Sequence, residues 1–111
     1  MIILTNVGSS YDAISAAKGL GLGLVDLTGM TSITLAVFVN KVGSGTLSWQ
    51  LWNVTNGVEL GVITDSGASG EKLLQQTFVI AVSGVKVLRL RVKSTVPGDD
   101  PIFYGAAISV S

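Results

Sequence analysis

The sequence predicts an all-β domain, an eight-stranded antiparallel β-sandwich of jelly-roll topology. Three observations carry this expectation. Apolar and polar residues alternate with a period of two over long stretches, as a strand with one buried face requires. Val, Ile and Thr make up 32 of the 111 residues, a composition that suits a pleated, half-buried surface. Gly, Ser and Asn interrupt the alternation about every ten residues, the turn spacing of a sandwich or barrel. The length is that of one domain, 1–111, large enough to bury a core without disulfides.

The expected strands, lettered B to I, are 1–5, 20–26, 31–40, 46–54, 57–64, 75–82, 85–94 and 102–110. Strand B is the apolar run Met1-Ile2-Ile3-Leu4-Thr5. Residues 1–19 form this strand and a surface arm, with a short helix from Tyr11 to Lys18, Ser10 as its cap, Asp12 in its first turn and Gly19 at its end. In strand C, Gly19, Gly21 and Gly23 alternate with Leu20, Leu22 and Leu24. A strand face of bare glycine lets another backbone approach closely. In strand D, Ile33, Leu35, Val37 and Val39 alternate with Thr34, Ala36, Phe38 and Asn40.

Strands E and F flank Asn56-Gly57, the strongest short hairpin signal, because a type I′ turn needs positive φ at both central residues. Pairing Thr55 with Val58 places Leu51 opposite Val62 and Trp52 opposite Gly61. Trp49 then shares a core face with Leu47 and Leu51, while Trp52 points to the other face. Between G and H, a two-residue turn at Ser83-Gly84 would put Phe78 opposite Arg89 and send Leu88 and Leu90 to the wrong face. Either the loop is one residue longer, with a bulge, or the two strands belong to different sheets, and the second option fits the G–H connection of a jelly roll. Sheets B-I-D-G and C-H-E-F follow. The expected core is Leu35, Val37, Leu47, Trp49, Leu51, Leu60, Val62, Ile80, Leu88 and Leu90.

Composition narrows the function. The chain has neither Cys nor His, which excludes thiol catalysis, Cys/His metal sites and His-based triads. The lone adjacent carboxylates, Asp99-Asp100, cannot flank a sugar from opposed sides as a glycosidase pair does. No catalytic residue, metal ligand or cofactor site is expected, and the chain is read as a non-enzyme. Seven basic and seven acidic residues cancel, which points away from nucleic acid and anionic membranes. The longest apolar run falls far short of the ~20 residues of a membrane-spanning helix. The N-terminus lacks the basic region of a signal peptide. Asn53-Val54-Thr55 matches a glycosylation sequon, read as coincidence without a secretion signal.

Charged residues are 13% of the chain and the hydrophobic fraction is 48%, against roughly 25% charged in an average domain. A surface so poor in charge suits a subunit in contact with other subunits. The candidate contact residues are Trp52, Gly21, Gly23, Arg89, Arg91, Lys93, Asp99, Asp100 and Tyr104. Arg89, Arg91 and Lys93 stand on one strand face as an acidic-partner patch or a solvated face. Asp99 and Asp100, between Gly98 and Pro101, read as a polar turn, half a calcium site or a partner of the basic strand. Trp52, Phe38 and Tyr104 are the aromatics outside the core. They could stack on sugar rings, although they form no planar row.

The segments Gly45-Thr46-Leu47-Ser48-Trp49-Gln50-Leu51-Trp52-Asn53-Val54-Thr55-Asn56-Gly57, Leu88-Arg89-Leu90-Arg91-Val92-Lys93 and Asp100-Pro101-Ile102-Phe103-Tyr104-Gly105 together resemble the small jelly-roll virion proteins of tailed bacteriophages, most of all their capsid decoration (cement) proteins. The resemblance implies a non-enzymatic structural protein on the capsid outer surface, made in the host cytoplasm. It would be a homo-oligomer, as a trimer, that stabilises the shell by bridging neighbouring subunits of the major capsid protein. It implies no site residues. The alternative is a carbohydrate-binding jelly-roll module or a receptor-binding part of a phage tail or fibre.

Overall fold

The computed structural model describes residues 2–4, 7–13 and 22–111. Among them are nine strands: β1 (Ile2–Ile3), β2 (Asp12–Ala13), β3 (Leu24–Asp26), β4 (Ser32–Lys41), β5 (Leu47–Asn53), β6 (Val58–Asp65), β7 (Gly70–Val79), β8 (Val85–Ser94) and β9 (Ile102–Val110). The expected count of eight is thus corrected to nine, of which seven are longer than two residues. Every pairing is antiparallel. One sheet has the order β1-β9-β4-β7. The other has β8-β5-β6, with β2 and β3 both paired to β8. In the lettering above these are B-I-D-G and C-H-E-F, and the β7–β8 connection crosses between them.

Two sheets of alternating strands bury their inner faces against each other. Ile33, Leu35, Val37 and Val39 of β4, Leu47, Trp49 and Leu51 of β5, and Leu88, Leu90 and Val92 of β8 are buried, with Phe78, Ile80 and Phe103. The Trp49 indole stacks across the core on Phe103, with ring centroids 6.2 Å apart.

The strand that was expected at 75–82 runs instead from Gly70 to Val79, and the second β-strand replaces the start of the expected helix. Asp12 and Ala13 pair with Val92 and Arg91 on the edge of β8. A two-turn helix is marginal alone because its nucleus is costly, whereas a strand edge offers unpaired backbone groups at once. Residues 14–18 of that helix lie outside the described residues, as does Gly21. Of the glycine-rich strand expected at 20–26, the described residues 22–26 are extended over Leu24–Asp26.

The β5–β6 hairpin forms with another register. Asn53 pairs with Val58, so the loop is Val54-Thr55-Asn56-Gly57. Gly57 takes φ +67° and donates its N–H to the Asn53 carbonyl. The buried Asn53 side chain accepts from the Asn56 N–H at 3.2 Å and donates to the Asn56 side chain at 2.9 Å. Side-chain bonds of this kind build a longer turn than the Asn-Gly pair alone requires. The register then shifts between Leu51 and Trp52, where Leu51 pairs with Gly61 and Trp52 with Glu59, leaving Leu60 as the extra residue of a bulge. Trp52 is therefore opposite Glu59 rather than Gly61. Ile63 takes the core position expected for Val62, which turns outward beside Gln50, while Leu60 is half-buried.

Candidate functional site

Alternation along β8 sends Leu88, Leu90 and Val92 inward, and so sends Arg89, Arg91 and Lys93 outward. On β5 the same rule puts Ser48, Gln50 and Trp52 outside. The β5–β8 register sets Ser48 beside Lys93, Gln50 beside Arg91 and Trp52 beside Arg89. On the other side of β5, Glu59 faces Trp52. Tyr11, just ahead of β2, reaches over the same face from the edge of β8.

These residues form one connected arrangement. The Arg91 guanidinium lies over the Trp52 ring, 4.5 Å from its centroid, and over the Tyr11 ring at 5.4 Å. The Lys93 ammonium lies over Tyr11 at 4.5 Å. A cation above an aromatic face is held by the ring quadrupole, more firmly where water is excluded. Gln50 is buried beneath them and donates from Nε2 to Glu59 Oε1 at 3.0 Å. Its Oε1 has no hydrogen-bond partner among the described residues. Burial pushes the Tyr11 phenol above its ordinary pKa. Glu59 adds to the rise, while the Ser48 hydrogen bond and Arg91 offset it.

Two hollows open beside these residues. One, of about 310 Å³, is lined by Tyr11, Trp52, Val54, Arg89 and Arg91. The other, of about 150 Å³, is lined by Ser9, Thr46, Ser48, Lys93, Ser94 and Thr95. The first is lined by cations and rings, the second by hydroxyls and Lys93. Among the described residues no group of three or more His, Cys, Asp or Glu could hold a metal ion.

Of the residues singled out from the sequence, Trp52, Arg89, Arg91 and Lys93 meet here. Tyr104 stands on the opposite side of the sandwich. Its ring packs on Phe38 with centroids 5.0 Å apart, and its hydroxyl donates to Glu71 Oε1 at 2.9 Å. Asp99 and Asp100 lie at one end of the molecule and hold backbone there. Asp99 Oδ2 accepts the Gly45 N–H at 3.1 Å, and Asp100 Oδ1 accepts the Val7 N–H at 2.8 Å. Gly23 precedes β3, and its carbonyl accepts the Leu88 N–H at 3.0 Å. Tyr11, Gln50 and Glu59 were not anticipated. The period of two on β5 marks Gln50 as outward, but Tyr11 depends on a long-range pairing that no local pattern shows.

No protein-family model and no curated protein matches the sequence. Among solved structures, the fold is similar to the carbohydrate-binding module CBM6cm-2 from Cellvibrio mixtus lichenase 5A, a structure in complex with cellotriose. The likeness covers 99% of both chains at a TM-score of 0.54 and 12% sequence identity. A looser likeness, at a TM-score of 0.43 and 15% identity, joins 98% of this chain to 84% of the CBM22-1 xylan-binding domain from Paenibacillus barcinonensis. At such identities the first similarity establishes the architecture, a jelly-roll β-sandwich of the kind carbohydrate-binding modules use.

Proposed function

We propose that this chain is a non-catalytic carbohydrate-binding module that takes its glycan along the outer face of the β8-β5-β6 sheet. The observation that carries the reading is the cluster of Arg91, Lys93, Trp52 and Tyr11 with the two hollows beside it. Aromatic rings, charged side chains and hydroxyls converge there on a rigid sheet surface, and ligand sites are concave with a few convergent polar groups. The fold's likeness to a module solved with cellotriose supports it, in favour of the second expectation from the sequence over capsid decoration. The test is affinity electrophoresis through gels containing a panel of polysaccharides. Wild type should be retarded by at least one of them, and Trp52→Ala should be retarded less. Equal mobility of both proteins in every gel would overturn the reading.

A second reading, a trimeric capsid-decorating subunit, rests on the other side of the sandwich. Along β4 that face carries Ser32, Thr34, Ala36, Phe38 and Asn40, and along β7 it carries Leu73, Gln75, Thr77 and Val79, with Glu71 at one end. Phe38 is 44%, Leu73 62% and Val79 89% exposed. A face so poor in charge suits burial against other protein. Sedimentation equilibrium at micromolar concentration should give three chain masses under this reading. A mass of 11.4 kDa would exclude it.

A further inference from the structure

We infer that the ligand of the β8-β5-β6 face is an anionic polysaccharide, bound through its carboxylate or sulfate groups by Arg89, Arg91 and Lys93. The inference rests on the carbohydrate-binding reading and narrows it to a substrate class. Its first ground is what the rings already hold. A neutral sugar is gripped by stacking on an open aromatic face, but here Arg91 lies over both Trp52 and Tyr11, and Lys93 lies over Tyr11 as well. Those ring faces are taken. The rings act as a bed that fixes the two cations in place and lowers the entropy lost when they engage an anion.

The second ground is charge. Among the described side chains the face sets Arg89, Arg91 and Lys93 against one carboxylate, Glu59, which already accepts the Gln50 amide. A stacked guanidinium keeps its edge N–H groups free, and that edge matches a carboxylate or sulfate bidentately.

The third ground is spacing. Alternate residues on one strand face repeat at about 6.6–6.8 Å, so the three cations form a row about 13 Å long. A row suits a chain with regularly repeated charges better than a single anion. The hydroxyls of Ser9, Thr46, Ser48 and Thr95 line the hollow at the Lys93 end, as hydrogen-bonding partners for sugar hydroxyls.

The experiment is titration calorimetry of the full chain with four probes: polygalacturonate, chondroitin sulfate, a neutral cello-oligosaccharide and a single-stranded oligonucleotide. The expected result is binding of polygalacturonate or chondroitin sulfate that weakens at least tenfold between 20 and 300 mM salt, roughly the loss that screening of several contacts gives. Binding of polygalacturonate shows that carboxylates suffice, whereas binding of chondroitin sulfate alone, which carries both groups, is resolved by comparison with its desulfated form. The triple variant Arg89→Gln, Arg91→Gln, Lys93→Gln should lose about 100-fold or more in affinity while keeping its circular dichroism spectrum and unfolding midpoint. Lys86→Gln, off this face, should bind like wild type. Binding of the neutral oligosaccharide alone would overturn the inference and leave the carbohydrate reading standing. Preference for the oligonucleotide over both anionic glycans would overturn it in favour of nucleic acid. No binding of any probe would overturn the inference, while the gel panel decides the carbohydrate reading separately. Should the triple variant unfold, Arg89→Gln alone, at the exposed end of the row, gives the same comparison.

Discussion

The ring of Phe78 lies against the backbone of Gly61, so close that a Cβ on Gly61 would stand 2.3 Å from the ring atoms. Phe78 belongs to β7 of one sheet and Gly61 to β6 of the other, so this contact joins the sheets where the β5–β6 bulge brings Gly61 inward opposite Leu51. Gly61→Ala must displace a buried aromatic and should cost about 1–3 kcal/mol. Phe78→Leu added to it should recover part of the loss, because the two sites share one space. Urea unfolding midpoints of the two single variants and the pair check this. Simple additivity would show that the ring moves aside freely.

The two tryptophans should behave differently. Trp49 is fully buried and stacked on Phe103, so Trp49→Ala should destabilise by about 3–5 kcal/mol. Trp52 lies under Arg91 on the outer face, and its loss should cost stability far less while weakening ligand binding. Acrylamide quenching of Trp49→Phe, which leaves Trp52 as the only tryptophan, should be efficient without ligand and reduced with it when emission is excited at about 295 nm.

The β5–β6 loop depends on Asn53 and Gly57. Gly57 sits in the left-handed region, at φ +67°, where a Cβ costs about 1–2 kcal/mol, so Gly57→Ala should lose about that much. Asn53→Ala removes both side-chain bonds to Asn56 and leaves a hole where a buried amide was, for a loss of about 1–3 kcal/mol. Thermal unfolding of each variant measures these costs. A larger loss in Gly57→Ala than in Asn53→Ala would place the turn's stability in backbone strain rather than in the amide bonds.

Alkaline titration should show two tyrosines above the ordinary range. The Tyr104 phenol is raised chiefly by its hydrogen bond to Glu71, which holds the proton, and Tyr11 chiefly by burial. Both groups bind their protons more tightly folded than unfolded. Their contribution to stability is therefore complete below pH 10 and is lost as pH rises through the folded values. Absorbance at 295 nm should give midpoints above those of the urea-unfolded chain. Tyr104→Phe should remove one of them and flatten the decline of stability above pH 10.

Much of the fold is legible in the sequence because β pairing leaves a period of two. The arithmetic at Ser83-Gly84, where a direct hairpin would turn Leu88 and Leu90 outward, leaves a bulged loop or a crossover, and the structure has the crossover, with β7 and β8 in different sheets. The β5–β6 register is not legible. It is set by the Asn53 side chain and by a bulge at Leu60, and neither changes the local alternation. The same holds for the site. Parity puts Arg89, Arg91, Lys93 and Trp52 outside, but their meeting depends on β5 lying beside β8. Tyr11 joins them only because the edge of β8 captures Asp12 and Ala13 from a segment that reads, on its own, as a short helix. Asp99 and Asp100 read in the sequence as a polar turn, and their bonds to Gly45 and Val7 are hidden because those residues are distant in the chain.

The placing of β7 at the end of its sheet has a consequence for handling. Among the described residues its outer edge has no partner, and from Leu73 to Val79 it reads Leu-Leu-Gln-Gln-Thr-Phe-Val, without a charge or a proline. Natural edges are commonly guarded by lysine, proline or a bulge against growth by addition of further chains. This one is guarded only at its start, by Glu71 and Lys72. This strip of backbone, remote from the basic face, is expected to set the upper concentration at which the protein stays dispersed. A single lysine at Gln75, whose side chain is exposed, would raise that ceiling and leave recognition untouched.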